Sequence, residues 1–158
     1  DMQWQLQMQP EFVVVQNEVD IQILHALKEY FQCGSVGINR RDSSGTRYHY
    51  RVKSVKNIVE KILPFFEKHS LKTKKKIEFQ RFRRICLLMN KGYHRESLHN
   101  FLEIYDLAVN LRVRSRAKKV TSRIQSIENI ISDLRKTLLD HNENVSKNGG
   151  SAHSESSE

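Results

Sequence analysis

A chain of 158 residues with 27 Lys and Arg against 18 Asp and Glu suits one compact domain with an appendage, and its formal +9 puts polyanions, nucleic acid foremost, first among partners. Two lone thiols, Cys33 and Cys86, lack metal-ligand spacing and argue against a disulfide framework, so a reducing compartment is expected. No apolar run approaches the ~20 residues of a membrane span, and no signal-peptide pattern opens the chain, so no membrane partner is expected.

The first predicted element is a strand from Met2 to Gln16, in which Gln3, Gln5, Gln7 and Gln9 alternate with Trp4, Leu6 and Met8. A row of amides is an unusual covering for a solvated face. Each amide offers both donors and an acceptor, which suits a base edge in a major groove; the same row also serves as the polar outside of an ordinary sheet. Pro10 predicts a bend or an edge position, because it has no donor for a ladder. Val19 to Phe31 then carries Ile21, Leu24, Leu27 and Phe31 at helical spacing, with Gly34 expected near the C-cap.

A short strand from Val36 to Arg41, a turn over Asp42 to Gly45 and a partner strand from Thr46 to Lys53 form the next predicted unit. Tyr48, Tyr50 and Val52 fall on one face. Arg47, His49, Arg51 and Lys53 fall on the other, joined by Asn39 and Arg41 if the hairpin register is simple. Like charges side by side repel, so either an anion covers this face or it is simply solvated.

Ser54 is placed to cap a helix through Ile62 and Leu63, which Pro64 restarts. Thr73 is placed to cap a longer helix to about Met89, ended by Asn90, Lys91 and Gly92. A further helix is expected from Arg95 to about Leu111, and a last one from about Ser115 to residue 141, with Ile124, Ile127, Ile131, Leu134 and Leu138 on one face. Residues 142–158 have the composition of a disordered tail. Formal charge concentrates in the middle, +4 over residues 36–53 and +8 over residues 54–93. The basic run Lys72, Lys74, Lys75 and Lys76 lies between two helices, as a phosphate contact or a solvated helix start.

Nucleophile elbows, phosphate-binding loops and zinc spacings are absent from the sequence. His94, His99 and Asn100 look like a nuclease fragment by letters alone, but a five-residue step turns roughly 140° around a helix, so the imidazoles diverge. Asp and Glu do not converge in pairs on the strands in a way that would hold a divalent cation, and no metal ligand is assigned.

The order of pieces resembles the single-motif LAGLIDADG homing endonucleases carried in organelle introns. The resemblance runs over about residues 3 to 110 through Trp4, Gln9-Pro10-Glu11-Phe12 and Gln16, then Tyr30-Phe31-Gln32-Cys33-Gly34-Ser35-Val36. It continues in Tyr48-His49-Tyr50-Arg51-Val52, Ile62-Leu63-Pro64-Phe65-Phe66 and the segment from Leu71 to Phe79. It implies an α+β fold, a saddle of antiparallel strands backed by helices in an αββαββα-like order, plus an extra C-terminal helix. It implies a site-specific double-strand DNA endonuclease that acts in intron mobility, reading the major groove with Gln3, Gln5, Gln7, Gln9, Glu11, Asn39, Arg41, Arg47, His49, Arg51 and Lys53, with Lys74 and Lys75 alongside. Glu11 would accept from cytosine N4. By the same resemblance Gln16 and Lys72 stand near the scissile phosphates as catalytic groups.

The family's motif helix, whose last acid binds Mg²⁺, is not in this sequence; in the family it precedes the first strand. The expectation is therefore an N-terminally truncated and inactive chain, with residues 1–112 as the incomplete endonuclease core, 113–141 as an added helix and 142–158 as the tail. The resemblance also implies a homodimer through the missing helix and a place in the chloroplast or, alternatively, the mitochondrion. A maturase that binds intron RNA and an inactive degenerate relative are the alternatives.

Overall fold

The computed structural model describes residues 6–111 and 122–148. Its centre is a three-stranded antiparallel sheet in the order β1-β3-β2, built from β1 (Phe12–Asn17), β2 (Ser35–Asp42) and β3 (Gly45–Val52). A 3₁₀ turn over Glu18–Asp20 and helix α1 (Ile21–Phe31) carry the chain from β1 to β2. The mixed α+β class and the antiparallel sheet backed by helices agree with the fold expected from the sequence.

Alternation on β3 sets the two sides of the sheet. Tyr50 and Val52 are fully buried and join Leu24 and Phe31 of α1, Ile58, Ile62, Leu63 and Cys86 in the main core. The Tyr50 ring lies parallel to Phe31 and edge-on to Phe12, and its hydroxyl donates to the Cys33 carbonyl at 3.0 Å. An aromatic ring so buried needs a partner for its one polar atom, and the backbone before β2 supplies it. Burial pushes the Cys86 thiol up to about 12, in keeping with a core filler.

After β3, Ser54 accepts a bond from the Asn57 amide at 3.2 Å and starts α2 (Val55–Asn57), as its placement predicts. Ile58–Ile62 is π-helical and leads into α3 (Leu63–Lys68), with Pro64 in its first turn. Proline has no N–H for the carbonyl four residues back, so the ladder widens just before it. Next come α4 (Thr73–Asn90), α5 (Tyr93–Glu96), α6 (Leu98–Val109) and α7 (Ser122–Asn148). Met89 and Ile85 of α4 meet Ile104 of α6, while Phe101 and Leu102 of α6 meet Ile131 of α7.

Several boundaries differ from the sequence expectation. Residues 6–11 belong to no strand, and Leu6 and Met8 pack among the α4, α6 and α7 side chains rather than under the sheet. Over residues 6–9 the alternation serves a segment outside the sheet whose apolar side chains pack on helices. Gln32, at φ 50°, takes the left-handed cap of α1 in place of Gly34. Lys72 is the N-cap of α4 with no side-chain bond, and Thr73 itself stands at φ 55°. The helix expected from Arg95 is split at Ser97, whose hydroxyl accepts from the Asn100 amide at 3.1 Å and opens α6. The last helix runs on past residue 141 to Asn148; its expected start near Ser115 lies outside the described residues.

Gly34 still has a constrained task. It stands at φ +78°, and a Cβ there would come within 2.6 Å of the Arg51 carbonyl oxygen and 2.8 Å of the Tyr50 ring. Gly92, at φ +82°, has no atom within 4 Å of the same point. Gly34→Ala is therefore expected to lower the unfolding free energy by about 2–4 kcal/mol, adding a backbone clash to left-handed strain, and Gly92→Ala by only about 1 kcal/mol. Urea unfolding of the two variants beside the parent checks the difference.

Candidate nucleic-acid interface

The register of β3 decides what its open side displays. Val13 stands opposite Arg51, Val15 opposite His49 and Asn17 opposite Arg47 on β1, while Ser35 and Gly37 of β2 stand opposite Arg51 and His49. Side chains directly opposite share a face, so Arg47, His49 and Arg51 lie on the side away from the Tyr50 core. Lys53, one residue past β3, continues this row.

Between Ile38 and Arg40 the pairing shifts by one residue, because Ile38 faces Tyr48 while Arg40 faces Arg47. Asn39 is the extra residue of a β-bulge, and Asn39 and Arg40 together oppose Arg47. This corrects the simple hairpin. Arg41 faces Thr46 and stands on the core side's parity, and Arg40, which alternation from Val36 had put on the wrong side, belongs to the basic face. The signal missed was the bulge itself, which leaves no mark in the residue types.

Like charges directly opposite are unfavourable, and the open face tempers them with two carboxylates. Asp42 holds Arg40 at 2.9 Å, and Glu11 stands 3.6 Å from Arg51 and 3.7 Å from Lys53. Glu11 thus has cationic partners of its own. Arg51 Nε and His49 Nδ1 are screened from solvent yet find no hydrogen-bond partner in the protein. Arg51 Nε has the Glu11 carboxylate 3.6 Å away as its ion partner, which leaves His49 Nδ1 on this face with unused hydrogen-bonding capacity. Burial, and then the Arg51 charge, hold the His49 imidazole below its ordinary pKa, so it is neutral at pH 7.

The remaining expected residues divide. Gln7 and Gln9 are exposed, on the segment leading into β1, while Gln3 and Gln5 lie outside the described residues. Lys75 lines a groove with Glu11 and Val13 beside the first residues of β1 and bonds Glu78 at 2.9 Å. Lys72 and Lys74 are exposed at the start of α4. Gln16 does not join them: it faces Tyr48, half-buried on the side opposite the basic row and near the far end of β1 from that groove. Gln16 thus stands on the other side of β1 from the row that continues Gln7 and Gln9, as alternation along the strand already placed it.

The carboxylates near this face do not fit a divalent cation. Glu11 and Asp42 are each engaged by cationic side chains, and no three His, Cys, Asp or Glu among the described residues converge on one point.

The LAGLIDADG endonuclease family model matches residues 1–86. A probable intron-encoded DNA endonuclease 1 of Mycosarcoma maydis is 34% identical over 67 residues, a match that covers 42% of this chain and 24% of that protein. Among solved structures, the homing endonuclease I-TnaI superposes with a TM-score of 0.67 at 32% identity, over 84% of this chain and 81% of that one. The meganuclease I-SmaMI, bound to uncleavable DNA, superposes with a TM-score of 0.56 at 28% identity, over 64% of this chain and 33% of that one. A family model spanning more than half of the sequence, and a fold shared through the same sheet and helices, place this chain in the LAGLIDADG endonuclease family.

Proposed function

We propose that this chain supplies the target-reading part of a site-specific double-strand DNA homing endonuclease, with the open face of the sheet lying in the major groove. The observation that supports it is the shared face of Arg40, Arg47, His49, Arg51 and Lys53, which gathers four cations on one side of the sheet. A two-stranded ribbon fits a major groove, and an arginine that meets guanine presents two donors to O6 and N7. Arg51 and His49, in the middle, are placed to read bases; Arg40 and Lys53, at the margins, to meet phosphates. Gln7 and Gln9 extend the reading surface, and Lys72, Lys74 and Lys75 meet backbone phosphates beyond it.

Phosphodiester hydrolysis in this reading belongs to a Mg²⁺ site whose carboxylates are not among those of the described residues. A target with two half-sites would be covered by two copies of the chain. An intron-encoded relative favours an origin in a mobile intron, with an organelle as the compartment.

Fluorescence anisotropy with duplexes selected from a random library by the 158-residue chain tests the reading. Tight duplex binding without added metal is expected, and single-stranded or intron RNA that outcompetes duplex DNA would refute it. Arg40→Ala should weaken binding to all duplexes and reduce the steepness of the salt dependence by about 1, whereas Arg41→Ala should change the slope far less. Equal effects from the two variants would contradict the bulged register.

Neighbouring phosphates favour the imidazolium, so the His49 pKa is expected to rise on binding from its lowered value in the free protein. Binding then takes up a proton, and affinity should grow as pH falls through the window between the free and bound values. His49→Gln should flatten that part of the pH profile, measured by anisotropy at constant ionic strength.

A further inference from the structure

The open face has an unexplained part. All of its positive charge comes from β2, β3 and the residue after β3, while β1 contributes Val13, Val15 and Asn17. Val13 and Val15 are 39% and 42% exposed, two large apolar side chains left in water opposite Arg51 and His49. Their neighbours Phe12 and Val14, of opposite parity, already serve the core.

We propose that Val13 and Val15 form an apolar reader of pyrimidine C5-methyl groups, which requires the bound duplex to carry thymines opposite β1. The inference rests on the reading above, in which duplex DNA lies across this face. In the major groove the thymine methyl is the one large apolar group that a base pair presents, set among donors, acceptors and small ring C–H groups. A valine set among cations that hold the backbone is driven against that methyl, because contact removes both from water. The flanking charge on Arg47, Arg51 and Lys53 selects the polyanion, and the two valines then select among its bases.

The spacing limits the sequence. Alternate residues of a strand are about 6.8 Å apart, twice the roughly 3.4 Å rise between base pairs, so the two methyl contacts fall within about two base pairs of each other. RNA offers no such partner, since its major groove is deep and narrow and side chains do not read it.

The test uses the unmodified chain and duplexes selected by it from a random library, with each thymine replaced singly by deoxyuridine, which removes only the methyl. Binding should weaken about fourfold at two positions within about two base pairs of each other, as loss of one buried carbon implies. In Val13→Ala one of these penalties should vanish, and in Val15→Ala the other, while Arg47→Ala weakens binding but keeps both. A duplex that binds tightly yet tolerates deoxyuridine everywhere would overturn the inference and leave the DNA-reading function standing. Penalties that persist unchanged in both valine variants would also overturn it. Failure to select any duplex, or a preference for RNA, would overturn the function and this inference with it.

Discussion

The register of β3, held by Tyr50, is the constraint on which the rest depends. Its ring is fully buried between Phe12 and Phe31, Val14 and Val36 flank it on the neighbouring strands, and its hydroxyl closes on the Cys33 carbonyl. A slip of one residue would bring Arg51 or His49 into the core and push Tyr50 into water. Burying an unpaired cation costs far more than a strand pairing returns, so the position of Tyr50 also dictates where the basic row stands.

That basic row is maintained against its own repulsion. Arg40 and Arg47 stand directly opposite one another, and the Arg51 charge helps to hold its neighbour His49 neutral. Glu11, whose carboxylate stands 3.6 Å from Arg51 Nε, and Asp42 blunt the field without cancelling it. Four cations against two carboxylates leave the face net positive, which is what an anionic partner would complete.

A second helical layer supports the sheet from its entry side. Met8 packs both with Ile85, Met89 and Ile104 and with the cluster of Phe101, Leu102 and Ile131, so the segment leading into β1 is tied to α4, α6 and α7 together. Arg135 of α7 reaches Asp106 of α6 at 2.6 Å, Arg84 reaches Glu103 at 3.4 Å, and Tyr93 donates to Glu103 at 2.7 Å. The two exposed ion pairs contribute little each, so the apolar clusters carry most of the attachment. The entry angle of β1, and with it the placement of Val13 and Val15, therefore depends on helices distant in sequence.

Period and parity were written in the sequence. The alternation from Thr46 to Lys53 correctly separated Tyr48, Tyr50 and Val52 from Arg47, His49 and Arg51, because side chains on a strand must alternate wherever one face is buried. Ser54, the turn after Asp42 and the stop at Gly92 were legible for the same reason, since each depends on local hydrogen bonds or backbone freedom. The order of segments also disclosed the family and its α+β fold. Pairing was decided only in three dimensions. Leu6 and Met8 alternate with glutamines as a strand would, yet their partners are helices, and periodicity does not name a partner. The bulge at Asn39 exchanged Arg41 for Arg40, because register depends on which backbone groups meet across strands and not on the residues of one strand alone.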